Sequence, residues 1–352
     1  MRDFDFSALA RLNTAATACS VSIRSQPEYF QVEEQLPFKP DGEGGHVLLK
    51  IRKRNANTDW VASELANFAS VPKLDVGYAG LKDRHAVTTQ WFSIKVEGVE
   101  EPNWSDFESD DVNVLEINRH KKKLKRGALS GIHFILRLSN VTGDKAVWQT
   151  QLEHIAQFGV PNYFAEQRFG HSGNNLFKAQ QWFAEGKKPK KRQQKSLILS
   201  AARSWLFNLV LDQRVQDKNW DQLLQGDFML LSGTKASLFE AKIDDTLLPA
   251  RLAAMDIHPT GPLWGRGQSS TQADCAVLEQ LVLSDWLDWC EALERQGLTQ
   301  ARRALRLYPE HFKWQWLDND LELQFFLPAG CYATAVLREL AVMTDESHGP
   351  SG

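Results

Sequence analysis

Hydrophobic residues keep a period of two from about residue 20 to residue 140, then change to a helical period near residue 145. SVSIRS (20–25), YFQVEE (29–34), HVLLKIRKR (46–54), TQWFSIKV (89–96), VNVLEIN (112–118) and HFILRLS (133–139) each alternate apolar and polar side chains. Such alternation predicts strands with one face on a core. In TQWFSIKV it sets Gln90, Phe92, Ile94 and Val96 on one face. One helix interrupts the strands, with Thr58 as its expected N-cap and Val61, Leu65 and Phe68 at helical spacing. Beyond residue 145 the spacing predicts helices over 146–158, 196–217, 274–294 and 297–306. Strand-like pieces lie between them, and LELQFFLPAG (321–330) is a late strand, followed by an expected helix over 331–342. This order excludes a regular βα repeat and predicts α+β: a mixed, largely antiparallel sheet with a helix-rich segment inserted, the last strand rejoining the first sheet.

Charge matters here by its distribution. The net charge over 352 residues is only −3, yet three runs are densely basic. RHKKKLKR (119–126) and KKPKKRQQK (187–195) each hold six Lys or Arg, and KIRKR (50–54) holds four. One such run reads as a solvated loop. Three together suit an anion track, because gripping a phosphate backbone takes several cations. No run of 18 apolar residues occurs and the N-terminus reads as no signal peptide, so neither a membrane span nor export is expected. Cys19, Cys275, Cys290 and Cys331 form no C-x-x-C pair and the nine His are scattered, which predicts reduced thiols in the cytoplasm and no metal site. Neither a P-loop nor G-x-S-x-G nor H-E-x-x-H is present.

The densest candidate for chemistry is GYAGLKDRHAVTTQWFSI (77–94). Gly80 permits a tight backbone, and Lys82, Asp83, Arg84 and His85 follow before a strand. A carboxylate at a loop tip between ordered elements is placed to meet a ligand. From spacing alone, though, Asp83 reads first as a turn or capping aspartate.

Gly77–Ala86 resembles the signature of the TruD family of tRNA pseudouridine synthases, A-G-x-K-D-x-x-A. RSQPEYFQVEE (24–34), GVPNYFAEQRFG (159–170), LSAARSWLFN (199–208), HPTGPLWG (258–265), RRALRLYP (302–309) and LPAGCYATAVLREL (327–340) are similar to further family segments, in the family's order. The resemblance spans roughly residues 20–342. It implies a catalytic pseudouridine synthase domain over 1–160 and 305–345, an inserted domain over 161–304 and a flexible tail over 346–352.

The resemblance also implies an activity: conversion of uridine 13 of tRNA to pseudouridine, with no cofactor and no metal. Asp83 is then the essential catalytic group and Arg24 its buried cation. Phe134 is the aromatic that holds an extruded base, and Phe30 is a second pocket aromatic. Lys82 and His85 are expected as RNA contacts or site support. Lys121, Lys122, Lys123, Lys125 and Arg126 are expected to grip phosphates. tRNA is the implied partner, and nothing in the sequence argues for an obligate oligomer, so a monomer is expected. One position departs from the pattern. The family reads G-N-x-F where this chain reads Gly131-Ile132-His133-Phe134. Either His133 replaces the missing amide or the site is weaker, so reduced activity is expected. That departure keeps open a second reading, a non-catalytic RNA-binding or RNA-folding protein, which would not need Asp83 with Arg24.

Overall fold

A computed structural model describes residues 2–234, 236–242 and 244–348. The first segment forms β1 (Ser20–Ile23), β2 (Phe30–Gln35), β3 (His46–Arg54), α1 (Thr58–Phe68), β4 (Val76–Tyr78), β5 (Val87–Lys95), β6 (Val112–His120), β7 (Gly131–Thr142) and α2 (Lys145–Phe158). The middle adds β8 (Val160–Pro161), α3 (Asn174–Glu185), α4 (Arg192–Gln216), β9 (Phe228–Leu231), β10 (Leu238–Glu240), α5 (Leu248–Ala253) and β11 (Ile257–Leu263). It continues with α6 (Ala273–Leu283), α7 (Leu287–Arg295), β12 (Ala301–Ala304) and β13 (Arg306–Leu307). The last segment contributes β14 (Glu310–Leu317), β15 (Asp320–Pro328), α8 (Ala333–Leu337) and β16 (Val342–Asp345).

The chain divides into two compact units. A sheet unit holds Ala15–Ala156, Pro309–Ala333 and the chain from Leu340 onward. Its sheet runs β14-β15-β7-β2-β5-β3-β6, with β4 on β5 and with β1 joining β7 to β16. Every pairing is antiparallel except β2 with β5 and β1 with β16, so the sheet is mixed and largely antiparallel. The late strand β15 does rejoin the first sheet, pairing with β7 from Leu321↔Leu138 to Pro328↔Gly131. Strand parity sets the core. Val47, Leu49 and Ile51 of β3 join Phe92 and Ile94 of β5 under Val61 and Leu65 of α1, while Leu48 and Trp91 serve the other face. Slipping β3 by one residue would exchange these sets and expose the core side chains.

The helical unit holds Met1–Thr14, Gln157–Tyr308 and Thr334–Glu339. It carries an antiparallel sheet, β10-β9-β11-β12, and the small pair β13-β8. Residues 2–14 belong here, whereas the sequence reading set them in the catalytic domain. The cause is an aromatic cluster: Phe4 lies 5.5 Å from Trp205 and 5.7 Å from Trp289, and Phe6 lies 4.5 Å from Phe169.

Several local expectations change. The cap of α1 is Asn57, which accepts from the Asp59 amide, and Thr58 is the first helical residue. The expected helix over 297–306 is a turn followed by β12 and β13, where pairing with β11 and β8 overrides the helical spacing of Leu298, Ala301 and Leu305. The helix expected over 274–294 breaks at a 3₁₀ turn, Ser284–Trp286. The helix expected over 331–342 shrinks to α8. The expected tail also differs: Glu346–His348 forms a 3₁₀ turn after β16, and the remainder, 349–352, lies outside the described residues.

Candidate active site

Asp83 lies in the loop between β4 and β5, and that loop is fastened by its backbone. The Gln90 side-chain Nε2 donates to the Gly80 carbonyl at 3.3 Å. The Lys82 N–H donates to Thr58 Oγ1 at 3.1 Å, and Thr58 Oγ1 donates to Gln90 Oε1 at 2.9 Å. Lys53 Nζ donates to the Ala56 carbonyl at 2.7 Å and to the Asp83 carbonyl at 3.4 Å. The Asn55 N–H donates to the Ala86 carbonyl at 3.2 Å. A loop tied at this many points holds the Asp83 carboxylate in a fixed place. That carboxylate is 49% exposed.

Arg24 supplies the facing cation. It sits in the corner after β1 with φ +59°, a left-handed backbone that few non-glycine residues adopt. Its side chain is only 5% exposed, and Nη2 donates to Asp83 Oδ2 at 3.2 Å. The other end, Nη1, donates to Asp345 Oδ2 at 2.6 Å. The guanidinium carbon lies 3.9 Å above the Phe30 ring. Phe30 meets Phe134 edge to face at 6.4 Å, and Phe134 packs against Phe325 at 5.4 Å. β2, β7 and β15 bring these rings together, since Val32 and Phe325 lie across from Phe134 on its two sides. Arg24, Phe30, Asp83 and Phe134, expected as one site, therefore do converge. Both rings are buried, at 3% for Phe30 and 7% for Phe134, so neither presents an open face to solvent.

The neighbouring charges divide between support and surface. Lys82 is taken up by Glu34 at 2.6 Å, with the carboxylate fully buried and the lysine nearly so, and Glu34 Oε2 also accepts from the Trp91 N–H. Lys82 thus supports the loop. Burial pulls the Lys53 ammonium from 10.5 down to about 8, with Lys82 adding to the shift and Asp83 and Glu34 opposing it. His85 and Arg84 are exposed beside Asp83. In the turn after β6, Lys121 pairs with Glu43, Lys123 donates to the Leu74 carbonyl and Arg126 stacks on Tyr78 at 3.8 Å. Lys122 and Lys125 are exposed there.

KIRKR does not behave as an anion track. Lys53 points into the core, Lys50 pairs with Glu33 at 2.6 Å, and Arg54 bonds to Glu28 and Asp111. A polar pocket there is lined by Glu28, Gln31, Arg52, Arg54 and Asp111, with the charges offset. His133 does not replace the amide missing at 132 either. Its ring bonds to Gln35 Oε1 and packs on Phe326, with the exposed parity of β7, whereas Ile132 shares Phe134's parity and lies across from Glu34.

Sequence reasoning missed Lys53, Glu34 and Asp345. Two had a signal: Lys53 continues the inward parity of Val47, Leu49 and Ile51, and Glu34 that of Phe30 and Val32. Among the described residues, no three His, Cys, Asp or Glu side chains gather as metal ligands, and no helix is long and apolar enough to cross a membrane.

The comparisons agree over most of the chain. The family model described as tRNA pseudouridine synthase D (TruD) matches residues 10–187 and 174–340. A tRNA pseudouridine synthase D of Nitrosococcus oceani is 49% identical over 330 residues, covering 93% of this chain and 92% of that protein. One from Aeromonas hydrophila is 47% identical over 341 residues, covering 97% and 96%. A Methanosarcina mazei crystal structure, described as a candidate tRNA pseudouridine synthase D, superposes with a TM-score of 0.71 and covers 94% of this chain and 95% of that one. Its sequence identity is 20%, so it speaks to the fold alone.

Proposed function

This chain belongs to the tRNA pseudouridine synthase D family, and from that membership we propose that it isomerises uridine 13 of tRNA to pseudouridine with Asp83 as the catalytic residue. The observation that carries the reading is the Arg24–Asp83 pair, a buried cation at 3.2 Å from a half-exposed carboxylate on a fastened loop. The Asp83 side chain keeps an open side toward solvent, where a ligand can reach it.

The chemistry balances without an oxidant or reductant. The C1′–N1 bond breaks, the uracil turns, C5 bonds to C1′, the proton on C5 leaves and N1 takes up a proton. The Asp83 carboxylate can act at the sugar in two ways, by attack on C1′ or by removing the C2′ proton to give a glycal; attack at C6 of the base is a third route. Both sugar routes use the anion. Arg24 offsets that charge, which would otherwise repel the phosphates flanking the target. The target nucleotide must leave its stack to reach the loop. Phe30 and Phe134 are buried in the free protein, so positioning the base by ring contact requires them to uncover when RNA binds; neither can donate a hydrogen bond. The exposed Lys122 and Lys125, and the 187–195 run of the helical unit, serve as phosphate contacts. Binding is accordingly expected to weaken steeply with salt. We read the helical unit as the family's inserted domain, and a monomer in the cytoplasm suffices for this activity.

The test uses tRNA carrying tritium at uridine C5. Wild-type protein should release tritium, and Asp83→Asn should release it at least roughly a hundredfold more slowly. Undiminished release by Asp83→Asn removes Asp83 from the chemistry. No release by the wild type, with tRNA still bound, favours the RNA-binding reading.

A further inference from the structure

The geometry points to Asp345 as a positioning residue that sets the orientation and the effective charge of Arg24 toward Asp83; this inference rests on the reading of Asp83 given above. The family model ends at residue 340, so Asp345 lies outside the matched segment. β16 brings it in: Val342–Asp345 pairs in parallel with β1, and its last register is Ile23↔Asp345, next to Arg24.

Asp345 is itself held. Its Oδ1 accepts from the Ser347 N–H at 3.0 Å, and its Oδ2 accepts from Arg24 Nη1 at 2.6 Å. Ser22, Ser25 and Asn140 hold the Glu346 carboxyl, next in the chain, below its usual range, which sets that side chain beside β1 and β7. A planar guanidinium gripped at one end has its other end aimed. Here the gripped end is Nη1 and the aimed end is Nη2, which reaches Asp83 at the longer distance of 3.2 Å. The face of Phe30 fixes the remaining degree of freedom, the plane of the fork.

The charge count gives the arrangement its consequence. One cation serves two carboxylates, and the nearer one is Asp345. The guanidinium is therefore partly spent before it meets Asp83, whose carboxylate is left less tightly paired than in a closed one-to-one ion pair. Removing the charge of Asp345 turns the whole cation on Asp83. Lys53 at the Asp83 carbonyl, the Glu34–Lys82 pair, Glu346, and the exposed Arg84 and His85 also face this cluster and are unchanged in every variant.

The experiment compares full-length wild type, Asp345→Asn and Asp345→Ala by tritium release across pH, with Asp83→Asn in the same assay. Asp345→Asn keeps an oxygen for Arg24 Nη1 and loses the charge. Its acid limb in kcat should move to lower pH by roughly half a unit to one unit. Asp345→Ala should lose aim as well, with kcat falling about tenfold and KM for tRNA holding within about twofold. Acid limbs that overlay the wild type in Asp345→Asn, or an effect on KM alone, overturn the inference. Asp345→Asn carries the test if Asp345→Ala melts below the assay temperature. Full activity in Asp83→Asn would instead sink the reading of Asp83, so the two failures are distinct.

Discussion

Two arginine–aspartate pairs, one in each unit, show how differently the same two groups can be used. In the helical unit, Arg214 and Asp227 are 1% and 0% exposed. Arg214 also donates to the Asn219 and Gln222 carbonyls, while Asp227 accepts from the Leu224 N–H and the Cys275 thiol. In the sheet unit, Arg24 is also buried, at 5% exposed, but its partner Asp83 is half exposed and holds it by one bond of 3.2 Å. The first pair is complete without any ligand. The second leaves a carboxylate edge open, and a buried cation with a second anchor, Asp345, keeps that opening affordable to the fold.

The largest expected effect breaks the symmetry outright. Asp83→Asn should remove activity by roughly 10²–10⁴-fold yet change unfolding stability by no more than about 1 kcal/mol, since Arg24 keeps Asp345. Asp227→Ala should do the reverse locally. It strands Arg214 in a dry interior and should cost roughly 3–5 kcal/mol in urea unfolding. A small loss there would mean that the carbonyls of Asn219 and Gln222 hold Arg214 well enough alone.

pH sharpens the comparison. Burial, helped by Arg306 and opposed by Asp256, lowers His258 of the helical unit from 6.5 to about 4, and Lys53 of the sheet unit falls from 10.5 to about 8. Both are bases whose folded form binds protons more weakly than the unfolded chain, so stability rises with pH within each window. The His258 contribution should be lost as pH falls from 6.5 toward 4. The Lys53 contribution should appear only as pH rises from 8 toward 10.5, each by up to roughly 3 kcal/mol. Unfolding across a pH series checks this: His258→Gln should flatten the lower window and Lys53→Met the upper.

The smallest effect concerns Ile132. An Asn there would lie across from Glu34, the partner of Lys82, with Phe134's parity. Ile132→Asn is expected to raise kcat severalfold, about 1 kcal/mol. No gain would show that the loop is already fully held.

What could be read ahead of the structure follows from locality. Alternation found seven of the ten strands of the main sheet, missing β4, β14 and β16, and set Phe92 and Ile94 inward. The same parity contained Lys53 and Glu34, but a lysine inside a basic run draws the eye to charge rather than to register. Asp345 had no signal at all. Its strand is four residues long, and its partner β1 is at the far end of the chain, so no window of sequence holds both. The 297–306 segment shows the other limit: apolar residues three and four apart suit a helix until a neighbouring strand claims the backbone.

The place of β7 in the sheet bears on how the protein is made. β7 pairs with β2 on one side and with β15 on the other, and β15 is translated only after the whole 157–308 stretch. A nascent chain leaving the ribosome therefore carries an unzipped, phenylalanine-bearing sheet edge while the helical unit is being synthesised. Such an edge invites pairing with other chains, so chaperone demand during synthesis should track the delay between β7 and β15, and lengthening the intervening stretch should lower the soluble yield.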